Sequence, residues 1–347
     1  MGVWGTESPR SNSNRLLPLY SALVNTDAPR PVVAFLGTRF TDFEVESAVL
    51  GEVDVVSGPG RDTDQIIEVA GNADVILTGA APRFDSAVLE KLVCRGIVRL
   101  GVGVDTVDLD AARRLGITVA YVPDYGTEAV AIHTVSLIMS ALRRVPQADR
   151  VVRSGSWGFG DFRPLHLPET LTVGIFGYGR IGRRVGELHL ALGFGTILVS
   201  DPQVPPSQVS DAALVEPERL LRDADVVTLH APPSDDGPLL GAAQVKSMKQ
   251  GSILVNTARG ALIDTDALVA GLTRGAPAVA ALDVFPSEPP DAAVFETVAD
   301  SVILTPHMAW YTEESEMELR RQGAAEARRI LDGLDPKHAL VSPGGRN

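Results

Sequence analysis

The chain has 347 residues, 45% of them hydrophobic, with 31 basic and 44 acidic side chains and a formal net charge of −13. That length predicts about two domains with sizeable cores and excludes wholesale disorder. The acidic balance argues against a nucleic-acid binder or a polybasic membrane-surface protein, although a local arginine can still hold a small anion.

Residues 1–30 are rich in Ser, Asn and Pro and read as a mobile tail. Leu16 to Val24 is apolar, but Pro18 interrupts it and no small-residue cleavage site follows, so it is not read as a signal peptide. From Pro31 onward, short β-branched runs alternate with amphipathic stretches: Val32–Leu36, Val53–Val56, Val75–Thr78, Val98–Leu100 and Thr118–Tyr121 are expected strands. This alternation predicts a parallel sheet covered by helices. A helix is expected over Glu128–Arg144, then an irregular arm over Ser154–Glu169. The longest apolar-leaning run, Val130 to Leu142, contains His133 and is shorter than the roughly 20 residues a membrane span needs. A second α/β unit opens with the buried strand 171–176, followed by strands at 196–200, 225–230, 252–256, 279–284 and 302–305. A Glu- and Arg-rich helix is expected over Glu313–Leu334. Cys94 is the single cysteine, which excludes an intrachain disulfide framework and a cysteine zinc cage and fits a reducing cytoplasm.

Gly177-Tyr178-Gly179-Arg180-Ile181-Gly182 follows the strand 171–176 and opens a helical pattern. In that context the first glycine permits a tight turn, the second lets backbone approach a pyrophosphate, and the third lets helix and strand pack closely. The helix N-terminus then offers free N–H groups to phosphate. Asp201 ends the next strand, where a carboxylate accepts from ribose hydroxyls and repels a 2′-phosphate; Pro202 follows with no basic neighbour, so NAD is expected.

In open parallel sheets, ligands gather at the carboxyl ends of strands. Asp201, Arg259, Asp283 and His307 all sit at such ends in the second unit. Hydride transfer to a carbonyl needs a proton donor, and His307 suits it because imidazole titrates near neutrality. Glu288, on the loop after the 279–285 segment, is the candidate partner of that imidazole. Arg259 has the planar fork that binds a carboxylate and polarises a carbonyl. Together with NAD, these residues point to interconversion of a 2-oxo acid and a 2-hydroxy acid. His230 ends a strand at the same crevice and is a further cofactor candidate. Arg83 and Arg163 lie in expected loops, as solvated residues or as ligands for a phosphate or phosphonate. The histidines have no metal-ligand spacing, and no metal is expected.

These motifs, together with Asn256–Gly260, Asp283–Pro289 and Thr305–His307, resemble the D-isomer-specific 2-hydroxyacid dehydrogenase family over about residues 31–335. The resemblance implies a Rossmann NAD-binding domain over 129–312. It also implies a flavodoxin-like substrate domain, doubly wound like the first, from 31–128 plus 313–347. It implies Arg259 as carboxylate anchor, His307 as acid/base and Glu288 as its partner. Cofactor contacts carry over to Gly177, Gly179, Arg180, Ile181, Gly182, Asp201, Thr257, Ala258 and Asp283, and to Thr127 and Pro232. Arg99–Asp105 resembles the family's glycine loop, placing Gly101, Val102 and Gly103 at the substrate, and Thr78-Gly79-Ala80 resembles the facing loop. The family is usually homodimeric. Thr305–Tyr311 is similar to the C-terminal-binding-protein branch, which leaves Trp310 either beside the substrate or in the core. That branch supplies the alternative function, an NADH-sensing dimeric binding protein with little turnover. A short phosphoglycerate or phosphonate-acid dehydrogenase is the other alternative, because no regulatory domain follows residue 335. Two departures stand out: Ile132 replaces a commonly acidic residue, and Pro286-Ser287 replaces a more acidic run. The particular 2-oxo or 2-hydroxy acid is not legible.

Overall fold

The computed structural model describes residues 29–40 and 42–342; the expected tail over 1–30 lies almost wholly outside them. Two sheets organise the chain. The first holds β1 (Val32–Leu36), β2 (Asp54–Gly58), β3 (Val75–Thr78), β4 (Gly96–Arg99) and β5 (Thr118–Tyr121), linked by α1 (Glu44–Leu50), α2 (Thr63–Ala70), α3 (Ser86–Leu89) and α4 (Leu109–Leu115). Its parallel strands run in the order β2-β1-β3-β4-β5, the flavodoxin-like order. Helices α2, α3 and α4 start where side chains can cap them: Asp62, Asp85 and Asp108 each accept from a backbone N–H three residues on.

Helix α5 (Thr127–Leu142) leads to α6 (Val145–Arg153), with a break where Arg144 adopts φ 53°. The single helix expected over Glu128–Arg144 thus stops earlier, and a second one follows. Pro146 explains the break: it has no N–H to bond backward and suits only the first turn of a new helix.

The second sheet holds β6 (Thr172–Phe176), β7 (Thr196–Ser200), β8 (Ala213–Leu214), β9 (Val226–Leu229), β10 (Ile253–Asn256), β11 (Val279–Leu282) and β12 (Val302–Leu304). Helices α7 (Arg180–Ala191), α8 (Pro217–Asp223), α9 (Ala242–Ser247) and α10 (Thr265–Arg274) intervene. The order β8-β7-β6-β9-β10-β11-β12 is all parallel. It reverses direction between β6 and β9, the switch point of a Rossmann sheet. Cores fill both faces of each sheet. Leu254 and Val227 face one cluster and Val255 and Val226 the other, while Ile76 and Leu77 divide the first sheet in the same way.

The chain then returns to the first sheet. Helix α11 (Glu313–Leu331) opens with a capping box between Thr312 and Ser315, carries Glu313, Glu314 and Glu316 in its first turn, and ends on Arg328 and Arg329. It lays Leu319, Ala324, Ala327 and Ile330 onto Leu77, Val98 and Ala120. Strand β13 (Ala339–Val341) follows and pairs antiparallel with β5. The sequence reading contained neither β13 nor β8. Both are too short to show a period.

Candidate active site

The site is built from strand ends upward. Gly177 leaves β6 at φ 83°, and a Cβ there would lie 2.6 Å from the backbone of His230 and Ala231, so only glycine permits the turn. A Cβ on Gly179 would meet nothing within 4 Å, which leaves open space in front of the N-terminus of α7. Asp201, just past β7, accepts from Tyr178 N at 2.7 Å and from Gln203 N at 2.8 Å. Its carboxylate is thereby held at the rim of the glycine turn. An open glycine cradle, unpaired helix N–H groups and a fixed acidic rim match the donors and acceptors of a dinucleotide. Arg180 reaches across to the first domain, 3.0 Å from Asp124 and 3.3 Å from the Pro123 carbonyl.

His307 Nδ1 lies 2.6 Å from Glu288 Oε2, and Glu288 Oε1 accepts from Phe285 N at 3.1 Å. The carboxylate is therefore anchored at one oxygen and engages the imidazole with the other. His307 has a left-handed backbone, φ 51°, unusual for a residue with a side chain. Asp283 imposes it. The Asp283 carbonyl accepts from His307 N at 2.8 Å, and its buried carboxylate accepts from the Thr305 hydroxyl, Met308 N and Ala309 N at 2.6, 3.0 and 2.9 Å. Asp283 organises this turn, whatever else it binds.

Arg259 follows β10. A Cβ on the next residue, Gly260, would overlap the Phe285 carbonyl and Pro286 nitrogen, so the absence of a side chain brings the arginine loop against the loop carrying Glu288. The Arg259 Nη1 donates to the Ala258 carbonyl at 2.7 Å, and Nε lies 3.3 Å from Asp105 of the first domain. Its Nη2 sits against Gly103, where any Cβ would overlap it. The glycine loop 101–103 and Arg259 therefore meet across the interdomain cleft.

The sequence reading named several further residues. Thr78 is fully buried at the end of β3, and Gly79 packs on the Gly37 carbonyl. Val102 is exposed. Trp310 is partly buried, edge-on to Tyr125 with ring centroids 6.0 Å apart, and packs against the core of the first domain. Thr257 is buried, its hydroxyl 2.8 Å from that of Thr134 on α5. Ala258 N donates to the Asn256 side chain. Thr127 begins α5, Ile181 and Gly182 lie in the first turn of α7, and Pro232 is exposed beyond β9. Burial, with a smaller push from His189, drives the His230 imidazole down to about 3, and its Nε2 lies 3.0 Å from the Thr228 hydroxyl. Arg83 is exposed and Arg163 stacks over Phe159 in the arm; among the described residues neither bonds to the His307 group.

Sequence reasoning missed two residues here. Arg99, at the end of β4, is enclosed beside Gly101, donates to the Leu100 carbonyl and leaves Nε without a partner. Burial lowers its pKa, with the Tyr125 phenol and the charged Arg259 and Asp105 as neighbours. Tyr125 is the second: burial raises its phenol, against Arg99 and Arg259. The available signal was position, since Arg99 is a basic residue at a strand's carboxyl end, two residues before a glycine loop.

Among the described residues, no cluster of three His, Cys, Asp or Glu side chains is arranged to hold a metal ion, and no helix is long and apolar enough to cross a membrane.

This architecture has known relatives. The family model described as D-isomer specific 2-hydroxyacid dehydrogenase, NAD binding domain, matches residues 135–309. The chain is 36% identical over 286 residues to a glyoxylate reductase of Aeropyrum pernix, covering 80% of this chain and 85% of the relative. It is 33% identical over 296 residues to a D-3-phosphoglycerate dehydrogenase of Archaeoglobus fulgidus, covering 84% of this chain but only 55% of that protein. The chain thus spans about half the length of its phosphoglycerate dehydrogenase relatives. The crystal structure of a D-lactate dehydrogenase from Aquifex aeolicus, complexed with NAD and lactic acid, superposes with a TM-score of 0.78 at 26% identity, over 87% of this chain and 96% of that one. With its second sheet matching an NAD-binding domain and its similarity running through both domains, the chain belongs to the D-isomer specific 2-hydroxyacid dehydrogenase family.

Proposed function

We propose that the protein is an NAD-dependent oxidoreductase that interconverts a small 2-oxo acid and its D-2-hydroxy acid. The observation that carries this reading is the His307–Glu288 pair at 2.6 Å, at the carboxyl edge of the same sheet that carries the glycine turn, with the Arg259 loop packed against the loop of Glu288. The cofactor, when bound, supplies the hydride to C2 or takes it back. Gly179 leaves room for the pyrophosphate, while Gly177 makes the turn and Gly182 packs α7 closely onto it; the first amides of α7 would donate to the phosphates and Asp201 would accept from the adenosine ribose. Arg259 holds the substrate carboxylate with its fork and withdraws charge from the carbonyl. The amides of the loop 101–103 face that carboxylate from the other domain. Glu288 keeps a proton on Nδ1, so that Nε2 of His307 gives a proton to the carbonyl oxygen during reduction and removes it during oxidation.

Arg99 adds a second guanidinium beside Arg259, and Asp105 is the carboxylate that faces both. That excess of positive charge favours an anionic substrate. Tyr125 and Trp310 form an aromatic wall next to it. The chain is further proposed to act as a homodimer. The reading is supported by Trp157, Phe159 and Leu167 of the arm, which expose 91%, 68% and 60% of their surface.

NADH oxidation at 340 nm tests the function against glyoxylate, hydroxypyruvate, pyruvate, longer apolar 2-oxo acids and, in reverse, 3-phosphoglycerate. One substrate well above the rest is the expected result. His307→Ala lowers its turnover on the order of 10²–10⁴-fold while NADH still binds, and Arg259→Ala raises KM and lowers kcat together. Tight NADH binding with no turnover of any acid would overturn the enzyme reading in favour of an NADH sensor.

A further inference from the structure

Helix α5 carries a polar side chain that the reaction above does not use. His133 has only 20% of its side chain exposed, and its Nε2 lies 3.3 Å from Thr305 Oγ1 and 3.6 Å from Asp283 Oδ1. The Thr305 hydroxyl donates to Asp283 Oδ1 at 2.6 Å. An ionised carboxylate can only accept, so the single hydroxyl hydrogen is committed to it. The bond between His133 and Thr305 therefore needs the imidazole as donor, which places a proton on Nε2.

The line of donors ends at the His307 turn. Asp283 receives Thr305 and the Met308 amide on one oxygen and the Ala309 amide on the other. The chain is thereby pinned on both sides of His307, whose φ of 51° is sustained only while its surroundings over-determine it. Among the described residues His133 has no bond to Arg259, Glu288 or His307. Its helix packs on β10 and β11, the strands that lead to Arg259 and Asp283.

We propose that His133 is a positioning residue for the reaction: its Nε2–H, through the Thr305 hydroxyl, holds the Asp283 carboxylate in the orientation that seats His307 against Glu288. The proposal rests on the acid–base reading of His307. Without His133, the Thr305 hydroxyl loses its donor and is free to rotate away from Asp283. The carboxylate then loses the shortest of its three bonds, and the His307 turn loosens. A displacement of about 1 Å at a reacting group can cost on the order of 10²-fold in rate.

The test uses the full chain with His133→Ala and His133→Gln, each alone and combined with His307→Ala. Four quantities are measured: kcat, KM for the 2-oxo acid, NADH affinity by fluorescence and the thermal midpoint. His133→Ala is expected to lower kcat on the order of 10- to 100-fold, with KM and NADH affinity within about twofold. His133→Gln, which can offer an amide N–H to Thr305, recovers most of the loss. On the His307→Ala background, removing His133 costs less than about twofold more, because no seated imidazole is left to misplace. Unchanged kcat in His133→Ala overturns the proposal. So does an equal loss in Ala and Gln accompanied by weaker NADH binding and a lower midpoint, which would mark simple packing. A full further loss on the His307→Ala background also overturns it. The single His307→Ala enzyme reports separately on the acid–base reading: near-normal turnover there would remove that reading, whatever the His133 variants do.

Discussion

Asp283→Asn changes no shape and removes one charge, and its cost can be worked from three bonds. The wild-type carboxylate is fully buried and takes the Thr305 hydroxyl and Met308 amide on Oδ1 and the Ala309 amide on Oδ2. An asparagine has one acceptor oxygen. Its better orientation keeps that oxygen toward Thr305 and Met308, which turns the amide NH₂ against the N–H of Ala309, itself 3% exposed. A buried donor left unpaired costs about 1–3 kcal/mol, and the two surviving bonds lose their charge assistance, so the loss is roughly 2–4 kcal/mol. For a protein of this size that lowers the thermal midpoint by roughly 3–5 °C. The repelled amide follows His307 by two residues, so kcat falls as well, on the order of tenfold or more. Thermal unfolding and steady-state kinetics on the same preparation measure both. A midpoint within about 1 °C of wild type together with kcat within about twofold would refute the argument that Asp283 imposes the turn.

Asp201→Ala should weaken the preference for NADH over NADPH, because it removes the group that accepts from the ribose and repels a 2′-phosphate; an unchanged ratio of kcat/KM values would show that another residue reads the ribose. Cys94 is buried and its thiol is pushed up to about 12, so a thiol reagent at pH 8 should label it only after unfolding; rapid labelling of the native protein would contradict its placement. His230 is held down to about 3 against an ordinary value of 6.5. The unfolded chain therefore takes up a proton here as pH falls through about 6.5, while the folded chain takes it up only near 3. The stability carried by the neutral imidazole is complete above about pH 6.5 and is lost progressively on acidification toward 3. His230→Asn should reduce the slope of urea-unfolding free energy against pH between 4 and 6 by about one proton, and an unaltered slope would contradict the assignment.

Much of the chemistry was legible because it is local. The run Gly177–Gly182 can be read as strand, turn and helix from neighbours in sequence, and Arg259 and His307 announce themselves as polar residues closing apolar strands. The parallel α/β character of the second sheet followed from the alternation of strands and helices. What escaped the reading lacks a period or joins distant segments. Strand β8 has two residues and β13 three, too few to alternate. The break between α5 and α6 turned on Pro146, whose influence reaches only a few residues.

The layer architecture, the dinucleotide cradle and the residue types of the proposed acid–base pair can be read from local stretches of the chain. Apolar periodicity and glycine chemistry act over short stretches of chain, so they can be read without coordinates. How those residues act together depends on contacts between distant elements. Arg259 meets Asp105 and the Gly103 backbone, which belong to the other domain. Arg259 is brought against the loop of Glu288 because Gly260 lets the two loops pack in contact. His133, on a helix between the domains, reaches the turn that seats His307 through Thr305 and Asp283. Such contacts depend on distances of about 3 Å between groups on different elements, from about twenty to more than 150 residues apart, and no local rule of sequence encodes them.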